Sequence, residues 1–234
     1  MRFSYFIHYQ LFTLLLLSVF LSNCGSKDST PHGVIVYNVS YPVLEHSILE
    51  NVLPSEMTIL YKGDMARGQL RSVGGIVNSE FISNQQKKVF KQLLKSYQDY
   101  YVCELNQDGV DQFIQTFPSL RFEPTEETIV VAGYNCEVTL AYNDANSEAA
   151  PMRVYHTKEL QITNPNWYTQ FNSIDGVLMG YELEQFGMTM RLEAKEVLER
   201  PVEDAAFLVD PKYVSVNSQE METKFEHLIS EFND

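Results

Sequence analysis

The chain has 234 residues and is acidic, with 17 Lys and Arg against 31 Asp and Glu and a formal net charge of −14. Nucleic-acid binding depends on Lys and Arg at phosphates, so this charge argues against a nucleic-acid partner. The 14 Tyr and 14 Phe argue against a disordered chain. The length is sufficient for one domain with a full hydrophobic core.

The N-terminus has the features of a secretory signal peptide. Arg2 precedes a mainly apolar run whose uninterrupted part is too short to span a bilayer. The run ends in Leu-Ser-Asn-Cys, which is similar to a bacterial lipobox, where the cysteine is alkylated by diacylglycerol and becomes the mature N-terminus. We predict a lipoprotein signal peptide over 1–23, lipidation at Cys24 and a tether over 24–32. A signal peptide cut nearby and a short signal anchor are the alternatives.

The residue after this cysteine indicates the location. Acyl chains on Cys24 would anchor the protein to a membrane. An Asp in the next position tends to retain a lipoprotein at the inner membrane, and Gly25 stands there instead. We therefore predict an outer-membrane protein, with a single domain over 33–234.

Alternating apolar residues predict strands through the first half of the chain. A strand over 33–41 is followed by a short helix over 47–53. The next segments with strand character are 56–64, 67–73 and 74–82. Residues 87–105 fit either a helix or two strands, and we favour two strands that meet near Ser96 and Tyr97, because the second half is rich in β-forming residues.

In the second half of the chain, the spacing of apolar residues first changes from that of a strand to that of a helix. Val110 and Phe113 have helical spacing, and Pro118 ends the predicted helix. The segments that follow are a strand over 128–143 with a bend or bulge at Gly133, a strand over 152–160 and a single helical turn over 164–171.

Two amphipathic units end the chain. Residues 176–197 alternate in polarity and predict a long antiparallel hairpin, with its turn near 185–187. A C-terminal helix is predicted from about Ser218, with Asn217 and Glu220 as its capping pair. The whole pattern predicts a mainly β (α+β) fold: a curved antiparallel sheet, or half-barrel, of about ten strands, covered by short helices and the C-terminal amphipathic helix.

Residues with reactive side chains form no recognisable catalytic or metal site. Cys103 and Cys136 have no neighbouring base, so they are interpreted as a disulfide or as two buried thiols. The histidines lack metal-ligand spacing, and no phosphate loop or nucleophile elbow occurs. Glu182 and Glu184 share a strand face, which is interpreted as solvated. We predict no catalytic residues, no metal and no cofactor.

The apolar side of the 176–197 hairpin is the candidate binding surface. Methionine is adaptable and suits a surface that accepts varied apolar ligands. The alternative is a solid core beneath the helices. The candidate contacts are Met179, Tyr181, Leu183, Met188, Met190 and Leu192.

Several short motifs carry a family resemblance over most of residues 33–215. They are Met57–Leu70, Gly133-Tyr134-x-Cys136, the Val154–Glu159 strand, Gly176-Val177-Leu178 and Phe207-x-Val209-x-Pro211-x-Tyr213. The chain resembles Gram-negative outer-membrane lipoproteins related to the GLPGLI group, although a Pro-x-Gly-Tyr turn is more typical of that family at this last motif. The resemblance implies a LolA/LolB-like half-barrel that can shelter acyl chains, and it implies no catalytic residues.

Three functions follow, in order of preference. The first is a non-enzymatic lipoprotein that binds or carries a lipid-like ligand in the concave sheet. The second is a scaffold lipoprotein with a solid core, which binds another envelope protein. The third is a hydrolase, for which the sequence offers no nucleophile with its base.

Overall fold

About half of the described residues after residue 31 lie in one β-sheet. The computed structural model describes residues 30–43, 53–146, 148–185 and 188–233. The chain from Pro31 onward forms one compact unit. Cys24 and the predicted signal peptide lie outside the described residues, as does most of the predicted 47–53 helix.

Twelve strands and two α-helices are present in the described part. The strands are β1 His32–Ser40, β2 Glu56–Lys62, β3 Met65–Arg71, β4 Val77–Asn84, β5 Val89–Ser96, β6 Asp99–Leu105, β7 Leu120–Val131, β8 Tyr134–Asn143, β9 Met152–Thr157, β10 Val177–Gln185, β11 Met188–Leu198 and β12 Val214–Ser215. The helices are α1 Gln107–Ile114 and α2 Ser218–Asn233, with 3₁₀ turns at Val73–Gly75 and Asp204–Phe207.

The sheet consists of two meanders joined at β1. Its order is β12-β6-β5-β4-β3-β2-β1-β11-β10-β9-β8-β7. Every pairing is antiparallel except the short β12–β6 contact, which is parallel. The mainly β class and the antiparallel sheet are therefore confirmed, with twelve strands rather than about ten.

The largest error in the predicted elements is the single strand over 128–143. The structure has a hairpin there, in which Val131 pairs with Tyr134. Ala132 and Gly133 both have positive φ, at 49° and 86°, as the tight two-residue turn between antiparallel strands requires. The first half of β7 escaped prediction because it is polar, exposed and contains Pro124, which is tolerated on an edge strand.

Other predicted elements are confirmed with shifted ends. Residues 87–105 form β5 and β6, and the 176–197 hairpin forms β10 and β11. The predicted capping pair is present, since Asn217 Oδ1 accepts from the Glu220 N–H and Glu220 Oε2 accepts from the Asn217 N–H. Residues 164–171 form successive turns rather than one helical turn.

The sheet is curved and buries apolar residues on both faces. Consecutive residues of a strand point to opposite faces. Ile35 and Tyr37 pack on one side, here called the inner face, whereas Val34 packs on the other, the outer face, with Phe207. Val131 of β7 joins the same cluster as Ile35, although four strands separate β7 from β1. β7 also contacts β11, from which three strands of the sheet order separate it, and only a curved sheet allows this contact.

Different segments cover the two faces. On the inner face, Met221 and Phe225 of α2 and Val110 of α1 pack against β5 and β6. The β9–β10 connection, residues 158–176, also covers the inner face and is called the covering loop. On the outer face, residues 199–213 contribute Val202 and Phe207. The predicted cover by short helices is therefore confirmed on the inner face, with the covering loop as an added element.

Candidate apolar binding site

A cavity of about 160 Å³ lies between the inner face and its cover. Its walls come from β2–β5, β10, β11, the covering loop and both helices. The lining is mostly apolar and rich in aromatic rings, namely Phe81, Phe90, Phe113, Phe117, Tyr168, Phe171, Tyr181 and Phe225. The candidate surface predicted from the sequence therefore borders a partly open, mostly apolar space.

Four of the six candidate contact residues line the cavity, and two do not. Tyr181 and Leu183 of β10, with Met190 and Leu192 of β11, line the cavity. Met179 is instead fully buried in the core with Cys136 and Leu160. Met188 begins β11 and is not among the described lining residues. Met179 and Met188 do not line the cavity because they lie toward the ends of the hairpin, away from the centre of the inner face.

A glycine makes room for one aromatic wall of the cavity. Gly68 pairs with Phe81 across β3 and β4. A Cβ placed on Gly68 would lie 2.1 Å from the Phe81 ring, so the ring occupies the space that any side chain there would need. Gly68 thus fixes the position of Phe81, a role that sequence periodicity alone did not reveal.

The aromatic residues form a continuous chain along the cavity. The Tyr168 ring lies 5.0 Å from Phe81 and 4.8 Å from Phe90, measured between centroids. Phe90 is 5.9 Å from Phe113, which is 5.1 Å from Phe117. These separations favour attractive offset or edge-to-face contacts. The chain connects the covering loop, the sheet and α1.

Two buried side chains hold the covering loop in place. Trp167 Nε1 donates to Ser83 Oγ of β4 at 2.9 Å. Asn166 Nδ2 donates to the carbonyl oxygens of Ile174 and Gly176 at 2.8 and 2.9 Å. The structure buries Trp167, the single tryptophan of the chain, with 5% of its surface exposed.

The phenol groups of Tyr37, Tyr168 and Tyr181 lie close enough to influence one another electrostatically. Burial raises the pKa of Tyr37, Tyr168 and Tyr181 well above the ordinary value, and the proximity of the Tyr181 phenol raises the pKa of the other two further. Tyr37 Oη donates to the Leu178 carbonyl oxygen at 2.8 Å. These phenols stay neutral at ordinary pH, so they can donate hydrogen bonds but cannot serve as bases.

A larger and more polar groove adjoins the cavity. This groove, of about 850 Å³, runs between α1 and α2. Gln92, Phe113, Phe117 and Phe225 border both the groove and the cavity. The apolar cavity and the groove between the helices are therefore neighbouring compartments of one region.

The disulfide alternative for the two cysteines is wrong. Cys103 and Cys136 are both buried free thiols. They belong to different hydrophobic clusters, on strands β6 and β8 at opposite ends of the sheet order. Burial raises the pKa of each thiol, which disfavours the reactive thiolate. The buried-thiol alternative describes them correctly.

His156 is a buried histidine with two structural hydrogen bonds. Its Nε2 lies 2.9 Å from Thr139 Oγ1, and its Nδ1 lies 2.9 Å from the Asp175 carbonyl oxygen. The carbonyl can only accept, so Nδ1 carries the proton and Nε2 accepts from the Thr139 hydroxyl. Burial lowers the pKa of His156, which favours this neutral form.

Two features are absent from the described residues 30–43, 53–146, 148–185 and 188–233. Within these ranges no group of three or more His, Cys, Asp or Glu could hold a metal ion. Within the same ranges, no helix has the length and apolar character needed to cross a membrane.

The fold is similar to part of two solved structures. A structure of PNGF-II in space group P21 aligns with a TM-score of 0.52 at 16% identity, over 83% of this chain and 33% of that chain. A second structure of PNGF-II, in space group C2, aligns with a TM-score of 0.50 at 15% identity, over 84% and 32%. This chain spans about a third of the length of PNGF-II, and the likeness shows a shared fold alone.

Other comparisons add no family. A DUF1329 family protein from Desulfovibrio piger is 10% identical over 77% of this chain and 91% of that chain, but the TM-score of 0.19 is too low to indicate a shared fold. No family model and no curated protein matches this chain. Membership of the GLPGLI-related lipoproteins and the LolA/LolB likeness therefore stay predictions.

Proposed function

We propose that this chain is a non-enzymatic outer-membrane lipoprotein that binds an apolar, lipid-like ligand on the inner face of its curved sheet. The observation that carries the proposal is the aromatic-lined cavity, with four candidate contact residues on its wall. The neighbouring groove between α1 and α2 shares four lining residues with this cavity.

The cavity volume limits what it can hold. An engineered apolar cavity of about 150 Å³ accommodates benzene, so 160 Å³ suits a short stretch of hydrocarbon. Pockets for drug-sized ligands are larger, at about 300–1,000 Å³. In this arrangement the cavity holds part of an acyl chain, and the remainder of the ligand lies in the groove.

Filling the cavity is expected to weaken ligand binding by at least about tenfold. Leu183 is half-buried on the cavity wall, and a Leu183→Trp side chain would occupy the space of about two methylenes, each contributing about 0.8 kcal/mol. Binding of octanol is measured calorimetrically with the full chain in phosphatidylcholine nanodiscs, and empty nanodiscs provide the blank.

The same substitution at an exposed site is the matched control. Leu208 is 66% exposed and lies outside the lining, so Leu208→Trp is expected to leave octanol binding unchanged. Thermal unfolding of both variants verifies that they fold. If Leu183→Trp binds octanol as tightly as the parent, or if the parent binds none, the carrier proposal fails and the scaffold role with a solid core is preferred.

The membrane anchor has its own test. We expect palmitate label to appear on the chain in Gram-negative cells and to disappear in Cys24→Ala, because the thiol is the acceptor of the lipid in a lipobox. Retention of label by Cys24→Ala would contradict the anchor. Membrane fractionation of the labelled chain then tests the outer-membrane location that Gly25 predicts.

A further inference from the structure

A second, smaller pocket lies beside the apolar cavity and is here called the side pocket. Its volume is about 70 Å³, and it is bordered by β1–β4, β10 and the covering loop. Four residues line both spaces, namely Ile59, Tyr168, Thr169 and Tyr181. Tyr168 of the covering loop and Tyr181 of β10 therefore form part of the wall that the side pocket and the cavity share.

The hydroxyl groups of these two tyrosines are unused hydrogen-bond donors. Within the part of the chain that the structure describes, neither the Tyr168 nor the Tyr181 hydroxyl has a hydrogen-bond partner, whereas that of Tyr37 donates to a backbone carbonyl. Packing does not fully bury either unpaired oxygen, so both remain accessible. A tyrosine hydroxyl in apolar surroundings ordinarily finds a partner, and an unmet donor there is costly. Both hydroxyls are thus available to a bound molecule.

Aromatic neighbours hold both rings without help from hydrogen bonds. The Tyr168 ring lies 5.9 Å from Trp167, and the Tyr181 ring lies 5.4 Å from Phe171 and 6.3 Å from Tyr37, measured between centroids. Burial and the nearby Tyr181 phenol raise the pKa of Tyr168, so the two phenols are neighbours and Tyr168 stays neutral. The site therefore presents two neutral donors in positions that packing sets in advance.

The surroundings of these donors favour an uncharged acceptor. Neither Lys nor Arg is found among the described residues that line the cavity or the side pocket. A carboxylate or phosphate in this position would lose its hydration without gaining a counterion, which is costly. A carbonyl of an ester carries no charge and accepts hydrogen bonds through its two lone pairs, so it suits two neutral phenols.

We propose that Tyr168 and Tyr181 bind the carbonyl group of an uncharged acyl ester whose chain runs through the apolar cavity. This inference rests on the proposed binding function and assigns the polar group that the ligand carries. Apolar contacts alone leave the depth and direction of a hydrocarbon chain undefined, and a few placed polar groups fix its orientation. The two phenols would hold the carbonyl at the wall between the cavity and the side pocket.

Three probes separate the carbonyl from the chain and from charge. Methyl octanoate, octanoate and ethylbenzene are titrated into the full chain in nanodiscs of an ether-linked phosphatidylcholine, which contains no competing ester, and empty nanodiscs provide the blank. Ethylbenzene is the reference, because it is apolar and has no carbonyl. We expect methyl octanoate to bind at least about tenfold more tightly than octanoate, because the carboxylate must lose water without a counterion.

Matched tyrosine variants locate the effect. Tyr168→Phe combined with Tyr181→Phe removes both hydroxyls and keeps both rings. We expect it to weaken methyl octanoate binding about tenfold, because two hydrogen bonds of modest net strength are lost, and to leave ethylbenzene binding unchanged. The control, Tyr97→Phe with Tyr142→Phe, removes two hydroxyls outside both linings and is expected to change neither. Thermal unfolding verifies that both double variants fold.

An infrared measurement reads the hydrogen bond directly. Methyl octanoate with an isotope label at its carbonyl carbon gives a stretching band that moves to lower frequency when the carbonyl accepts a hydrogen bond. We expect a lower frequency for the ester bound to the parent chain than for the ester bound to the Tyr168→Phe, Tyr181→Phe variant. Identical frequencies would overturn the assignment.

Each other outcome overturns a specific proposal. Equal weakening of methyl octanoate and ethylbenzene in the Tyr168→Phe, Tyr181→Phe variant indicates a changed shape rather than lost donors and overturns the carbonyl assignment. Unchanged ester binding in that variant, tighter binding of octanoate than of the ester, or a parent that binds octanol but no ester also overturns it, and each leaves the apolar site intact. Absence of binding by octanol, methyl octanoate and ethylbenzene overturns the proposed function itself.

Discussion

Glu80→Ala is expected to lower the free energy of unfolding by about 3–5 kcal/mol, because it leaves a buried guanidinium without its counterion. The Glu80 side chain is 6% exposed and that of Arg67 is 16% exposed. Glu80 Oε2 accepts from Arg67 Nε and Nη2 at 2.8 and 2.5 Å, and from Gln69 Nε2 at 3.2 Å. Urea unfolding followed by circular dichroism gives the change.

The position of this pair explains why its loss is costly. Arg67 also donates through Nη1 to the carbonyl oxygens of Ala206 and Leu208 at 2.8 and 3.3 Å. These carbonyls belong to the 199–213 segment that covers the outer face, so the guanidinium joins the sheet to its cover. Without Glu80, the charge remains at this buried junction with backbone carbonyls as its main acceptors.

Two comparisons separate a buried pair from an ordinary one. Replacing both partners, as in Arg67→Met with Glu80→Leu, is expected to be far less destabilising than Glu80→Ala, because no uncompensated charge is left. Glu104→Ala breaks the exposed pair with Lys91 and is expected to cost less than about 1 kcal/mol. A similar cost for Glu80→Ala and Glu104→Ala would refute the buried-charge explanation.

Trp167→Ala is expected to lower the free energy of unfolding by about 3–5 kcal/mol, as large-to-small changes of buried aromatic residues do. The indole belongs to the same hydrophobic cluster as Phe90, Leu94 and Met221, and together with Tyr168 it joins the covering loop to the β5–α2 side of the inner face. Its removal leaves a cavity in this cluster. Thermal and urea unfolding measure the effect.

A second substitution separates packing from the hydrogen bond. Trp167→Phe keeps most of the apolar surface but leaves the buried Ser83 hydroxyl without the indole N–H, at a cost of about 1–3 kcal/mol. We therefore expect Trp167→Phe to be clearly less destabilising than Trp167→Ala. Equal losses in the two variants would assign the whole effect to the hydrogen bond and contradict the packing account.

The strands were predictable where one face of a strand is buried and the other is solvated. The alternation in 176–197 identified the β10–β11 hairpin, and the Asn217–Glu220 pair identified the start of α2. These signals are local, since they depend only on residues a few positions apart. The first half of the edge strand β7 gave no such signal, because most of its residues are exposed.

The candidate site was predictable only in part. The apolar hairpin face identified Tyr181, Leu183, Met190 and Leu192, because a face with no polar residues must be covered. Nothing in the local pattern indicated that the cover leaves a cavity. The Gly68–Phe81 contact, the position of Trp167 and the approach of α2 to β10 all join residues far apart in the chain.

The sequence by itself therefore determined the mainly β class, most strands, the C-terminal helix and the apolar hairpin face, because periodicity and capping are local properties. It also carries the prediction of the Cys24 anchor, which lies outside the described residues. Only the tertiary structure decided that the two cysteines stay apart, that a cavity remains beneath the covering loop, and that a groove between α1 and α2 adjoins this cavity. These features depend on sheet curvature and long-range packing, which bring together residues that no short sequence window contains.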